Sequence, residues 1–414
     1  MIENTCISIY NPSIKTGGTN NLMFNLAVLL NTQNHFKVFY LDYKESPLVE
    51  ISKDNNYNLN HIEIKDENKV YVDEGILIAT LLTVKLIGKR IILSDQAKMI
   101  FWSTHPDDGL KILSSFNIWL RSSHNCKVFF SNVFHPFFKK RIKKFMELGV
   151  KHNGIVFMDN ENIKSNRTFY DLKENASIIP IFTDYPSKNI STVKLQSNNN
   201  IIKIVVLGRF TDFKVNSIYG FIEQIIEFNL KNTLKIQVNF IGNGPLLEGM
   251  KEWINNKGLQ NCNYYGHVNL PDIDELVIKH DILVGMGTSV LEAAKLKIPS
   301  LLIDASYDRL PKEKVLLNWL YEAKSFEVAR FVSIHDKNIN GRNISDLIWE
   351  LKNSKDDIGE KCYNHWLNYH SPKSTLKKFS DIIELNSFSY KDHKYYLKED
   401  INSKTINFVK NKLN

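Results

Sequence analysis

Cysteine is scarce in this chain. Its four copies, Cys6, Cys126, Cys262 and Cys362, are widely scattered and form no Cys-x-x-Cys pair. That distribution argues against a disulfide framework or a structural zinc site and fits a reduced cytoplasm. Long apolar runs are missing as well. The longest, Gly75 to Leu93, is broken by Lys85, Lys89 and Arg90, so it falls short of the roughly 20 apolar residues a membrane span needs. Met1 to Cys6 carries no basic stretch ahead of an apolar core, and no secretory signal is read there. Acidic residues are in deficit: 45 Asp and Glu against 53 Lys and Arg give a formal net charge of +8. Such a balance favours a polyanionic ligand or surface. No zinc-finger, RRM-like or helix-turn-helix pattern accompanies the charge, so nucleic acid is not expected as a partner. Phosphorylated substrates or an anionic membrane surface account for it equally well.

With 43% hydrophobic residues in 414 and a mean hydropathy of -0.26, the chain reads as a globular protein too long for one ordinary core. Two domains are expected. The N-terminal half alternates strand and helix patterns. Cys6–Tyr10, Phe36–Leu41, Ile91–Leu93, Met99–Trp102, Lys127–Phe130, Gly154–Met158 and Ile178–Pro180 read as strands, and Leu22, Leu26, Leu29 and Leu30 mark one face of a helix. A polar segment, 187–200, reads as a linker, after which the alternation restarts. Strands are expected at Ile201–Leu207, Lys235–Ile241, near Asn263–Tyr265, at Ile282–Val284 and at Ser300–Ile303. The expectation is an α/β protein of two doubly wound, Rossmann-like domains, 1–186 and 201–385, facing a cleft, with residues 386–414 unplaced.

The stretch Asp281 to Ser300 is the most informative. A short buried strand runs into Gly285-Met286-Gly287-Thr288-Ser289, then a helix with Glu292 one turn in. Glycines let backbone approach a ligand, and a fresh helix start presents unpaired amides. That suits a diphosphate beside Gly287, Thr288 and Ser289, with Glu292 on a ribose. Ser289-x-x-Glu292 fits an ordinary capping box just as well.

Two further loops follow strands in the same half. Gly208-Arg209 is followed by Lys214, and Gly242-Asn243-Gly244-Pro245 makes a tight turn into a helix. Singly, the two cations read as solvated loop charges and the glycines as a plain turn. In this order, together with Leu291-Glu292-Ala293 and Ile298-Pro299, they resemble the large bacterial family of retaining glycosyltransferases with the GT-B fold, related to sucrose-phosphate synthases (glycosyltransferase family four-like). The resemblance covers about residues 201–305 and is looser before them, where Gly17-Gly18 matches a glycine pair after the first strand.

The resemblance implies a nucleotide-sugar donor and a saccharide or lipid-linked saccharide acceptor, with no metal and no other cofactor. Arg209 and Lys214 would grip the diphosphate. Gly17, Gly18, Gly242, Gly244, Gly287, Thr288 and Ser289 would line the donor, and Glu292 would hold its ribose. His105, in Ser-Thr-His-Pro, would contact the donor sugar; as a surface-loop histidine it would do nothing of the kind, and the sequence leaves both open. Two departures stand out: Val284 where a glutamate often precedes Glu292 by eight residues, and Val215 where a glycine usually follows the lysine. Two rival readings remain, a nucleotide-sugar 2-epimerase of the same fold and a catalytically weak partner subunit.

Phe137 to Met146 places Phe138, Ile142, Phe145 and Met146 on one helix face, with five basic residues beside and opposite it. It is either a core-packed helix with a solvated basic face, or a charge-driven dock that holds a cytoplasmic enzyme on the inner face of the membrane.

Overall fold

The computed structural model describes residues 5–14, 17–54, 57–65, 69–113, 136–173, 175–186, 200–268, 270–324 and 326–397. By their contacts they form two compact units: residues 1–180 together with 376 onward, and residues 181–375.

The first unit is built on strands β1 (Thr5–Tyr10), β2 (Phe36–Asp42), β3 (Asn60–Glu63), β5 (Ile76–Thr80), β7 (Lys98–Ser103) and β8 (Ile155–Phe157), with β4 (Val70–Val72) and β6 (Ile91–Leu93) forming a small sheet of their own. The main sheet is ordered β3-β2-β1-β5-β7-β8 and parallel throughout. A parallel sheet covered on both faces needs near-continuous apolar strands, and Ile7, Ile9, Ile78, Ile100 and Phe101 are fully buried. Helix α1 (Gly18–Asn31) turns Leu22, Leu26 and Leu30 to the core.

Three strand expectations need revision here. β5, beside β1 at the sheet centre, is hidden in sequence within the broken run Gly75–Leu93; a five-residue strand running straight into the 3-10 turn Leu81–Leu86 leaves no period of its own. Ile91–Leu93 pairs with β4 and not with the main sheet. Ile178–Pro180 makes only an isolated bridge, Ile178 to Phe157. Lys127–Phe130 lies outside the described residues.

The second unit repeats the plan. Its strands β9 (Ile201–Leu207), β10 (Lys235–Ile241), β11 (Asn263–Tyr264), β12 (Ile282–Gly285), β13 (Ser300–Ile303) and β14 (Leu317–Trp319) lie in the order β11-β10-β9-β12-β13-β14, parallel except for β13 with β14. Ignoring the side sheet, both units share the Rossmann strand order 3-2-1-4-5-6.

The remaining helices are α2 (Pro47–Asp54), α3 (Asp108–Leu113), α4 (Pro136–Lys151), α5 (Asn160–Tyr170), α6 (Asp212–Lys231), α7 (Leu247–Asn256), α8 (Leu270–Val277), α9 (Thr288–Ala294), α10 (Ile344–Tyr369), α11 (Pro372–Leu385) and α12 (Tyr390–His393). None of the described helices is long and apolar enough to cross a membrane. In α4, Ile142, Phe145 and Met146 are buried, so the apolar side of the basic helix belongs to the core. Lys143 pairs with Asp171 at 3.0 Å, and Lys144 lies 3.5 Å from Glu147.

By its contacts the second unit ends at Thr375, and of the segment left unplaced by sequence, residues 386–397 have a definite seat. Residues 388–390 pair antiparallel with the start of β7: Met99 N–H donates to Phe388 O at 3.0 Å and Tyr390 N–H to Ala97 O at 2.8 Å. Asn386 Nδ2 donates to the carbonyls of Met99 and Asn153. The Phe388 ring is fully buried, 5.3 Å from that of Phe145, and lies where any Cβ on Gly154 would intrude at 2.2 Å. Phe388→Ala is expected to destabilise the protein by about 3–5 kcal/mol, the usual cost of emptying a buried aromatic site. Chemical denaturation measures it, and a loss below about 1 kcal/mol would show that the tail is not part of the first core.

Candidate functional site

The loop after β9 carries the two cations. Arg209 is exposed on it; Lys214 is half-buried in the first turn of α6. Neither forms an ion pair among the described residues. Desolvation, and then the Arg209 charge, lower the Lys214 ammonium to about 8. Two like charges held this way favour an anion between them. A Cβ built on Gly208 would stand 3.7 Å from Lys214 Nζ and 4.0 Å from Ser289 Oγ, so ammonium and hydroxyl border the space over that glycine. Val215 is fully buried; the residue after the lysine faces the core, where valine packs as well as the expected glycine or better.

Gly242 and Gly244 each stand where backbone from a neighbouring loop comes close. A Cβ on Gly242 would fall 2.0 Å from Gly208 O, and one on Gly244 2.3 Å from Phe210 O. Their φ values, +127° and +156°, also disfavour other residues. Gly208 N–H donates to Ile241 O at 3.0 Å and Phe210 N–H to Asn243 O at 2.8 Å. The two glycines thus let one strand-end loop press against the next and fix the cation-bearing loop in place.

At the end of β12, Gly287 adopts φ +67° as the N-cap of α9, with open space beside its Cα. Thr288 is half-buried and begins the helix. Ser289 Oγ donates to Met286 O at 2.8 Å and accepts from Met286 N–H at 3.2 Å, closing the Gly285–Gly287 turn. The capping-box alternative therefore fails: Ser289 lies inside the helix, and Glu292 turns elsewhere. Its Oε2 meets Lys295 Nζ at 2.6 Å, and the same ammonium lies 3.0 Å from Asp274 Oδ1 on α8. All three side chains are under 10% exposed. Burial alone would lower the Lys295 ammonium, but the two carboxylates raise it above its ordinary value. Removing one partner from such a buried cluster costs about 3–5 kcal/mol. Val284 is fully buried in β12, paired with Val206 and Leu301, so this position offers no carboxylate.

Lys295 and Asp274 escape a reading of the sequence. A lysine three residues after Glu292, directly following the buried Ala293 and Ala294, was the available signal. Asp274 also ends the triplet Asp272-Ile273-Asp274; Asp272 is exposed while Asp274 is buried. Among the described residues no group of three or more His, Cys, Asp or Glu side chains could hold a metal ion.

The other candidates belong to the first unit. Gly17 is the extended N-cap of α1; a Cβ on it would meet only Asn20 Nδ2 within 4 Å, at 3.9 Å, and Gly18 is exposed. The loop ahead of them is tied down: Ser13 N–H donates to the buried Asp42 at 2.7 Å and Asn20 Nδ2 to Ser13 Oγ at 2.7 Å. Burial raises the Asp42 carboxyl despite these hydrogen bonds. His105 is half-buried, and its Nδ1 accepts from Asp107 N–H at 3.1 Å. A neutral imidazole so held carries its proton on Nε2. Asp108 anchors the turn by accepting from the amides of Thr104 and His105, and burial raises it to about 6.

No protein-family model and no curated protein matches the sequence. Solved structures do match. A point mutant of S. aureus TarM, crystallised with fondaparinux, alpha-GlcNAc-glycerol and UDP, aligns over 92% of this chain and 99% of its own at 12% identity, with a TM-score of 0.54. A second TarM structure gives the same values. The N-terminal domain of Candida albicans trehalose-6-phosphate phosphatase aligns over 92% and 97% at 12% identity, with a TM-score of 0.53. At that identity the likeness is one of fold: an α/β chain of two Rossmann-like units, the GT-B architecture.

The Lys214 ammonium gives a pH test. Below about 8 it is charged, and above that it loses its proton, so affinity for a nucleoside diphosphate should fall as pH rises from 7 to 9. Lys214→Arg, which stays charged throughout, should flatten the decline. Calorimetric titration reads both, and an equal alkaline loss in wild type and variant would remove Lys214 from the site.

Proposed function

We propose that this protein is a retaining glycosyltransferase that moves a sugar from a nucleotide-sugar donor to a saccharide acceptor in the synthesis of a bacterial surface polysaccharide or lipopolysaccharide. The observation that carries this reading is the cation pair Arg209 and Lys214, without an ion-pair partner among the described residues, at a strand end of a Rossmann-order sheet, bordered by Gly208 and Ser289. Ligands of open α/β sheets sit at the carboxyl ends of the strands. As the bond from anomeric carbon to phosphate breaks and the acceptor oxygen takes its place, negative charge grows on the departing diphosphate. An arginine fork and a lysine point charge stabilise that charge where a metal otherwise would. Glu292 accepts from the ribose hydroxyls through the oxygen not committed to Lys295.

Thermal shift with UDP, ADP and GDP is the first test, since a ligand at 100 times its dissociation constant adds about 2.7 kcal/mol. Incubation with the matching nucleotide sugars should then release free sugar slowly by hydrolysis. An epimerised nucleotide sugar would identify an epimerase, and no product would identify a subunit without catalysis. Arg209→Ala and Lys214→Ala should each lower turnover by about 10²–10³; near-normal rates in both would remove the cation pair from the mechanism.

The same reading places a lipid-linked acceptor, and so the enzyme, at an anionic membrane surface. Support comes from the outer side of α4, where Phe137 is 79% exposed and a cavity of about 680 Å³ opens between Phe137, Lys140, Lys144, Tyr395 and Tyr396. With the apolar face of α4 committed to the core, docking rests on charge, at about 1 kcal/mol per basic residue near the surface. Co-sedimentation with liposomes should need anionic lipid, fall with salt, and weaken in Lys140→Glu/Lys144→Glu. Equal recovery in the supernatant with anionic and neutral vesicles would overturn it.

A further inference from the structure

We propose that Lys295 is a positioning residue for nucleotide binding: with Asp274 as its second anchor, it holds Glu292 as an aimed carboxylate, ready for the ribose. The inference rests on the reading of Glu292 as the ribose-binding group and adds how that group is kept fit for the task.

The neighbours of Glu292 along α9 offer a charge no support. Val290, Leu291, Ala293 and Ala294 are all fully buried, and α9 has no side-chain cap. A carboxyl in such surroundings gains by taking up a proton, and a neutral acid accepts more weakly from hydroxyl groups than a carboxylate does. Lys295 meets one oxygen of Glu292 from 2.6 Å away. A lone buried lysine would tend to lose its own proton; Asp274, at 3.0 Å, is the second carboxylate that keeps it charged. Glu292 Oε1 has no hydrogen bond within the described protein and can accept from outside. Asp184, on the segment that enters the unit, is the other charged group acting on both Lys295 and Glu292.

The full chain tests this through Lys295→Met, Lys295→Arg, Glu292→Gln and the double variant Glu292→Gln/Lys295→Met, with Asp184→Asn as the control for that neighbour's titration. UDP, ADP and GDP are titrated by calorimetry between pH 6 and 7.5, reading the ratio of variant to wild-type affinity. Lys295→Met should lose about tenfold at the acid end, one pK unit's worth, and recover part of it as pH rises and the unsupported carboxyls ionise. Lys295→Arg should restore affinity to within about threefold, and the double variant should be no worse than Glu292→Gln. A Lys295→Met affinity equal to wild type, or a loss independent of pH, would make Lys295 a packing residue and overturn the inference while leaving the nucleotide reading intact. If the wild type binds none of the three nucleotides, that reading fails by itself. Unfolding then decides the Lys295 part: Glu292→Gln must destabilise the wild type more than it destabilises Lys295→Met, and equal effects overturn it. Should Lys295→Met fail to fold, Lys295→Gln, neutral but still able to hydrogen-bond both carboxyls, is put through the same comparisons.

Discussion

Parallel strands cannot be joined by tight turns. Each must return through a crossover to the edge where the last strand began, so the carboxyl ends of all the parallel strands lie on the same edge of the sheet. In the second unit this constraint alone gathers the loops after β9, β10, β12 and β13, although they are spread over about a hundred residues of sequence. The loops then prop one another. Gly242 and Gly244 admit the backbone of Gly208 and Phe210 at distances no side chain would allow. Gly287 N–H donates to Val328 O, and the segment around Val328 is pinned in turn by Arg330, whose guanidinium and backbone amide grip Asp304 at the end of β13.

Charge is distributed in the second unit in two opposite ways. Arg330 is satisfied by Asp304, Arg342 by Glu322 and Glu350, and Lys295 by Glu292 and Asp274. Those cations stabilise the fold and are spent on it. Arg209 and Lys214 have no such partner among the described residues, and burial, then the Arg209 charge, lowers the Lys214 ammonium. A structural role would be served better by pairing them. Leaving like charges together is useful only if something anionic arrives to join them, which is why the unpaired cations, and not the more numerous paired ones, direct the functional reading.

How much of this was legible in the sequence depended on whether the signal was local. β9, β10 and β13 were read to within a residue because each is rich in β-branched and apolar residues and bounded by glycine or proline: Gly208 follows β9, Gly242 follows β10 and Pro299 precedes β13. The cation loop was legible because its residues are consecutive. Placement of 386–397 was not: nothing in a polar, aromatic stretch states that Phe388 will fill the space Gly154 leaves, more than two hundred residues away. The capping box misleads for a related reason. Ser289-x-x-Glu292 has the right letters, but the helix starts at Thr288, so the serine closes the preceding turn and the glutamate answers to Lys295. Spacing identifies a motif only once the helix start is known, and that start depends on Gly287 at φ +67°.

The two departures from the resembled pattern make physical sense in these surroundings. Val284 and Val215 are both fully buried, one in the middle of a parallel ladder and one on the core face of α6. An apolar side chain at either position lowers the free energy of the fold and presents nothing to a ligand. Lys295 is the opposite case, a charge placed in an apolar helix and tolerable only because Asp274 and Glu292 meet it there. A chain can therefore have a like fold to a solved structure at only 12% sequence identity. The parallel strands need only side chains that bury well, whereas the loops at their ends are held by close backbone contacts and, at Asp304, by the Arg330 ion pair.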